Sequence, residues 1–319
     1  MQTGVIARHS GDVARRLATE TPWREVLDAF LDGRDSAMTR RAYARACADA
    51  LTALEVNTLA ELNGADLAAY RSAVVASDLA PASQAQTLAA LRSFLRWSRT
   101  MGASTLSADV VAEALRTPRT DVRRPYASLS ERELTTLLEA AENPRDRALL
   151  AVMLGAGLRV SEVVGLDVTD LLEDADGGAA LYVRLGKGRK DRQVPVQPEV
   201  AGAIRRYLAD TGRRLGDAGP LFRAHDLAAS KLPRGRLTAR SVGALVTRLA
   251  SRAGIDAKAV SPHALRHTYA LRALRHGGDV VAVSKLLGHS SIVTTQRYVD
   301  HLAVAELRAV VPHLPGVAA

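Results

Sequence analysis

Apolar positions in the first third of the chain recur at spacings of three and four, the period of a helix with one buried face. Val26, Leu27, Phe30 and Leu31 share such a face and Gly33 follows them, so the pattern predicts a first helix closing near Gly33. A second predicted helix runs from about Ser36 to Leu54. A third starts at Asn63, whose side chain suits the first unpaired helical N–H groups, and continues to about Ser77. Pro81 opens a fourth, striped by Leu88, Leu91, Phe94 and Leu95 and closed by Gly102. Four or five short helices with short connections predict a small helical domain over 21–116. Residues 1–20 carry no strong period and are expected to form a tail.

Residues 117–125 contain Pro118, Arg119, Arg123, Arg124 and Pro125, a proline-bounded basic stretch expected to link two domains. Beyond it, Ser130 and Glu133 have the spacing of a reciprocal helix cap before an apolar helical run, and helices are expected to about Leu166. The period then shortens to two. Leu181, Val183 and Leu185 alternate with Tyr182 and Arg184, Gly186-Lys187-Gly188 marks a turn, and Val194 and Val196 alternate beyond it. This is a hairpin pattern, and Asp167 to Leu172 is a candidate third strand. Helical patterns resume at about 198–210, 238–253, 263–276, 279–287, 291–299 and 301–310. The expected fold is mainly α, with a small antiparallel β-sheet in the second domain, 126–319.

Composition narrows this picture. The 319 residues suffice for two domains with a core each. Hydrophobic residues reach 47% and aromatics only 4%, so the chain is globular and its cores are expected to rest mainly on Ala, Leu and Val. A net charge of +9 suits a polyanionic partner, whose counterions basic side chains displace. Cys47 is the one cysteine, which excludes an internal disulfide and a cysteine-based zinc site; among alanines it reads as apolar filler. No apolar run approaches about 20 residues, and the N-terminus lacks a signal pattern. A cytoplasmic protein without membrane insertion is expected.

Several chemical signals fail on their contexts. Gly155-Ala156-Gly157 follows a helix, where a dinucleotide turn follows a strand. Gly186-Lys187-Gly188 lacks the phosphate-loop spacing. His263 and His267 have the four-residue spacing of a zinc-protease pair, but Ala264 stands where the general-base glutamate belongs. What remains is a scattered set of cations and phosphate-compatible groups: Arg159 at a helix start, Lys187 on the turn, His263 and Arg266 after the Ser261-Pro262 helix start, His289 after Gly288, and Tyr298.

Their order and surroundings resemble a known family. Gly157-Leu158-Arg159-Val160-Ser161-Glu162 resembles the first arginine motif of the tyrosine recombinases, the lambda-integrase family. Gly186-Lys187-Gly188 with Arg189-Lys190-Asp191-Arg192-Gln193-Val194-Pro195 resembles the family's hairpin-lysine motif. His263-Ala264-Leu265-Arg266-His267-Thr268 is similar to its His-x-x-Arg box. Leu286-Leu287-Gly288-His289-Ser290-Ser291 and Thr294-Thr295-Gln296-Arg297-Tyr298 resemble its last histidine and nucleophile motifs. The five motifs stand in family order, and the resemblance covers nearly the whole chain past residue 20: the helices of 21–116 resemble the family's core-binding domain and 126–319 its catalytic domain.

The resemblance implies a site-specific recombinase in which Tyr298 attacks a DNA phosphodiester, giving a 3′-phosphotyrosine and a free 5′-hydroxyl. The pentacoordinate state gains charge on its non-bridging oxygens, which the guanidinium forks of Arg159 and Arg266 suit. His289 adds a donor. A tyrosine hydroxyl, with a pKa of roughly 10, needs a base, and the family match gives His263; the departing 5′-oxygen needs a proton, and the match gives Lys187. Glu162 lies one turn past Arg159, placed either to orient it or to form a simple ion pair with it. No carboxylate cluster accompanies these groups, so neither metal nor cofactor is expected.

The family also implies a two-domain, C-shaped clamp on double-stranded DNA bearing specific recombination sites. Arg40, Arg41 and Arg45 on the second predicted helix, and Ser83, Gln84, Gln86, Arg92, Arg96 and Arg99 on the fourth, are expected to face DNA, with Arg240 and Arg248 in the catalytic domain. A homo- or hetero-tetramer is expected, the latter with a second related recombinase. The simple two-domain layout is Xer-like, the type that resolves chromosome or plasmid dimers. Alternatives are a mobile-element integrase or resolvase, a type IB topoisomerase, and a non-catalytic DNA-binding accessory protein.

Overall fold

The computed structural model describes residues 20–117, 128–184, 191–224, 235–289 and 291–299, with the backbone alone at Val293 and Arg297. Lys187, the expected helix at 301–310, nearly all of the expected tail and residues 118–125 of the expected linker lie outside them. The chain forms two compact units, Met1–Arg123 and Arg124–Ala319.

The first unit carries five helices among its described residues: α1 (Trp23–Asp32), α2 (Ala37–Ala53), α3 (Gly64–Ala76), α4 (Pro81–Thr100) and α5 (Ala108–Ala114). Their starts follow local chemistry. Ser36 Oγ accepts from Thr39 N at 3.3 Å, and Asn63 Oδ1 accepts from Ala65 N at 2.8 Å. Pro81 sits at the first position of α4, where a missing N–H costs nothing. The four helical periods meet in one core around Phe30, whose ring lies 5.4 Å from Phe94, 5.5 Å from Trp97 and 5.8 Å from Tyr43. Two of the three phenylalanines and both tryptophans are in this unit, but Leu, Val and Ala supply most of its buried core, as expected. The few rings add the most apolar area per residue. Cys47 is fully buried in the same core, and burial pushes its thiol up to about 12.

In the second unit, α6 (Glu131–Glu139) opens on the reciprocal cap read from the sequence: Glu133 accepts from Ser130 N at 2.8 Å, and Ser130 Oγ accepts from Glu133 N at 3.3 Å. Helix α7 (Pro144–Ala156) buries residues on every side, which fits its lack of an apolar stripe. It ends at Gly157, left-handed with φ of 61°; a Cβ there would lie 2.1 Å from the Tyr269 ring. Short α8 (Val160–Gly165) follows. Strands β1 (Leu171–Glu173), β2 (Ala179–Val183) and β3 (Arg192–Val196) form an antiparallel sheet in that order, with Leu181 opposite both Leu171 and Val194. The first strand starts later than expected, because Val168–Asp170 is a 3₁₀ turn. Helices α9 (Pro198–Asp210), α10 (Ala239–Arg252), α11 (Pro262–Arg275), α12 (Val280–Leu287) and α13 (Val293–Val299) complete the described unit. No helix among the described residues is long and apolar enough to cross a membrane.

Candidate functional site

The site grows from two helix breaks. The left-handed Gly157 turns the chain out of α7, so that Arg159 caps α8 with extended backbone. Glu162, one turn on, accepts from Arg159 N at 2.8 Å and from Arg159 Nη1 at 2.9 Å. The second break is Gly288, left-handed with φ of 64°, which ends α12 and leads into His289.

Three guanidiniums converge on this second break. Arg266 is only 2% exposed on α11; it donates to Gly157 O at 2.7 Å and to Leu287 O at 2.6 Å. Arg159 donates to Gly288 O at 3.1 Å. Arg192, the first residue of β3, donates to Leu286 O at 2.9 Å. The last carbonyls of a helix have no partner within it and carry its negative dipole end. The carbonyls of Leu286 and Leu287 at the end of α12, and that of Gly288 just past it, are met by three different cations.

Glu162 balances the cluster. Arg192 grips both its oxygens, at 3.0 and 2.9 Å, and Arg266 Nη1 stands 3.8 Å from one of them. Burial pushes the Glu162 carboxyl up, but the hydrogen bonds from Arg192 and Arg159 and their charges more than offset it, leaving it below its ordinary value. One carboxylate among three guanidiniums leaves two positive charges to face an anion. Burial and the Arg159 charge bring Arg266 down to about 10, still cationic at neutral pH.

The histidines sit beside these cations as neutral rings. Ser261 Oγ caps α11 by accepting from Ala264 N at 3.1 Å, which places His263 in the first turn. His263 is exposed to solvent; partial desolvation on its inner side, then the Arg266 and Arg159 charges, hold it below 6.5. His289 is brought down to about 4, first by burial and then by Arg266, Arg159 and Arg192. Its Nδ1 lies 2.7 Å from Thr295 Oγ1. Tyr298, on α13, is 2% exposed and packs with Ala270, Leu271, Leu274, Val283 and Leu287. Its ring lies 6.3 Å from His289, stacked, and 5.1 Å from His267. His267 meets His263 edge-on at 4.0 Å, as packed rings do. Among the described residues no third metal-ligating side chain joins the histidine pair.

Five predicted residues, Arg159, Arg266, His263, His289 and Tyr298, and the predicted Glu162 are therefore gathered in one place; Lys187 lies outside the described residues. Sequence reasoning gave no task to Arg192 or His267. Arg192 lay in plain view within the hairpin motif, but its carboxylate is 30 residues away, and no local spacing announces such a pair.

The predicted DNA-facing residues divide. Arg40, Arg41, Arg45, Ser83, Gln86, Arg96 and Arg240 are exposed. Arg45 has Asp49 at 3.6 Å, and the exposed Arg248 has Asp146 at 3.7 Å. Arg92 and Arg99 each spend one donor inside the domain, on Leu115 O and Leu106 O. Gln84 is a correction. It is 7% exposed and its Nε2 donates to Val75 O and Ser77 O at 3.2 and 3.3 Å; its amide is spent on fastening the α3–α4 connection.

Residues 127–304 match the model of the phage integrase family, and residues 28–102 that of the phage integrase N-terminal SAM-like domain. The chain belongs to the phage integrase family. Within it, the chain is 34% identical over 229 residues to tyrosine recombinase XerC of Myxococcus xanthus, covering 70% of this chain and 73% of that one. With the XerC of Salmonella typhi it is 36% identical over 266 residues, 82% and 84% of the two chains. Its fold is that of the XerH site-specific recombinase bound to palindromic difH substrate in a post-cleavage complex, with a TM-score of 0.67 at 19% identity over 82% of this chain and 76% of XerH. This integrase-family member is a Xer-like tyrosine recombinase, a site-specific DNA strand-transfer enzyme.

Proposed function

We propose that Tyr298 is the nucleophile of this recombinase and that its hydroxyl attacks a scissile DNA phosphate. The tyrosine oxygen bonds to phosphorus, the bond to the 5′-oxygen breaks, and a 3′-phosphotyrosine and a 5′-hydroxyl result. The observation that carries the reading is the gathering of Arg159, Arg266, His263, His289 and Tyr298, from segments over a hundred residues apart, around one buried carboxylate. Arg159 and Arg266 receive the two non-bridging oxygens, where charge develops. His263, held neutral by its surroundings, is free to take the tyrosine proton. His289 donates to the same phosphate, and Lys187 protonates the departing oxygen. Glu162 keeps Arg159 in place. Because Tyr298 is buried, attack requires α13 to present its hydroxyl once DNA is bound.

Religation is the reverse exchange of one ester for another, so neither ATP nor a metal ion is required. Grip on the duplex comes from the exposed arginines of α2, α4 and α10. The active assembly is a tetramer on paired sites, made of one chain type or shared with a second related recombinase. Its biological task is resolution of chromosome or plasmid dimers in the cytoplasm.

Incubation with nicked suicide DNA tests the core of this reading. A covalent protein–DNA adduct is expected in EDTA, absent with Tyr298→Phe. No adduct on any cognate site, or an adduct that needs magnesium, overturns the nucleophile or the metal-free mechanism respectively.

A further inference from the structure

Arg192 is the one cation of the buried cluster to which the mechanism gives no task. Its side chain is 13% exposed. Both terminal nitrogens face Glu162 and its Nε faces Leu286 O, so each edge of the guanidinium is already directed at protein. A fork-to-fork arginine–carboxylate pair fixes direction as well as distance. The Glu162 oxygens that Arg192 aligns are the same two that receive the Arg159 backbone N–H and Nη1 and that stand near Arg266. The bond to Leu286 O holds the last turn of α12, three residues before His289. The chain passes so close here that a Cβ on Gly288 would lie 2.8 Å from Arg192 Nη1.

We propose that Arg192 is a positioning residue for the phosphate clamp: it locks Glu162 and the end of α12 so that Arg159, Arg266 and His289 meet the scissile phosphate in one geometry. The inference rests on the proposed role of these residues in strand cleavage. Lysine at this position keeps a positive charge but loses the fork and the simultaneous bond to Leu286 O. Methionine keeps an unbranched apolar stem and loses the charge, the fork and the bond.

The test compares two suicide substrates with the full chain. One has an ordinary scissile phosphate. The other carries a methyl group in place of one non-bridging oxygen, which removes the charge the clamp neutralises. With Arg192→Met, DNA affinity stays within about threefold of the unmodified chain, while the single-turnover adduct rate at saturating protein falls roughly 10- to 100-fold. On the methylated phosphate the deficit shrinks to about threefold or less. Arg192→Lys gives a smaller loss with the same shrinkage, and it carries the test if the methionine variant melts. Unchanged rates, or an equal loss on both substrates as an ion pair serving stability alone gives, overturn the role of Arg192. Absence of an adduct with the unmodified chain overturns the underlying cleavage chemistry and this role with it.

Discussion

In the first unit the α2 arginines proposed to meet DNA stand in water, whereas in the second three arginines are drawn out of it. Arg40 and Arg41 are exposed with no ion-paired carboxylate among the described residues, and Arg45 has only an exposed Asp49 at 3.6 Å. Arg266, Arg192 and Arg159 are buried or half-buried and bonded to named carbonyls and to Glu162. The physical consequences differ. An exposed cation attracts phosphates by charge, weakens with salt and tolerates many geometries. A buried, bonded cation cannot relax, so it stabilises charge at one place and loses its value when moved. Both cores are built mainly of Leu, Val and Ala; the second unit also holds a largely buried polar cluster, which its hydrogen bonds make tolerable.

This contrast can be broken at its strongest point first. Tyr298→Phe is expected to abolish the covalent adduct while DNA affinity remains, since both units keep their cations; retained adduct sinks the assignment. Arg266→Ala is expected to cut the adduct rate by roughly 10²- to 10³-fold. It also removes donors from Gly157 O and Leu287 O beside a buried carboxylate, costing about 3–5 kcal/mol of stability, which denaturant melts would show. An Arg266→Ala chain as stable as the parent contradicts the buried-cluster account.

Acid separates the units less drastically. The folded pKa of His289, about 4, lies below its ordinary 6.5, so as pH falls through 6.5 the unfolded chain takes the proton first. Stability present above pH 6.5 is therefore lost progressively between 6.5 and 4, and His263 acts in the same direction. Glu162, held below its ordinary 4.5, adds a further loss as pH falls below that value. The described residues of the first unit contain no histidine. Both tryptophans lie there, so fluorescence melts report that unit. Between pH 7 and 5 they should move less than far-ultraviolet dichroism melts, and equal shifts break the contrast. Adduct formation should fall at some pH below 6.5, as His263 becomes protonated. The smallest effect is expected from Arg40→Ala, Arg41→Ala and Arg45→Ala together. The slope of log affinity against log salt should become shallower by about 0.9 for each phosphate that is no longer neutralised, with melting and saturated cleavage rates unchanged.

Much of this molecule is written locally. The caps at Asn63, Ser130 and Ser261, the apolar stripe of α4 and the period change into the hairpin depend on residues within a few positions of one another, and each formed as its pattern predicted. Local rules failed where a residue's neighbour is distant. Gln84 sits beside exposed Ser83 and Gln86 in sequence, yet the turn of α4 points it inward to the carbonyls of Val75 and Ser77. The motifs named Arg159, Arg266, His289 and Tyr298 by resemblance, without saying what holds them.

By itself, then, the sequence determined the two helical regions, the small sheet and the glycine breaks at 157 and 288, because periodicity, capping and left-handed turns are short-range physics; the candidate reactive groups came by resemblance. Only the tertiary structure decided that Glu162 serves three arginines, that Arg192 is one of them, that Tyr298 is buried against two histidines, and that the end of α12 rests on three guanidiniums. Most of those partners are distant in the chain, up to 129 residues apart, and pairing across such gaps follows from packing, which leaves no periodic mark along the chain.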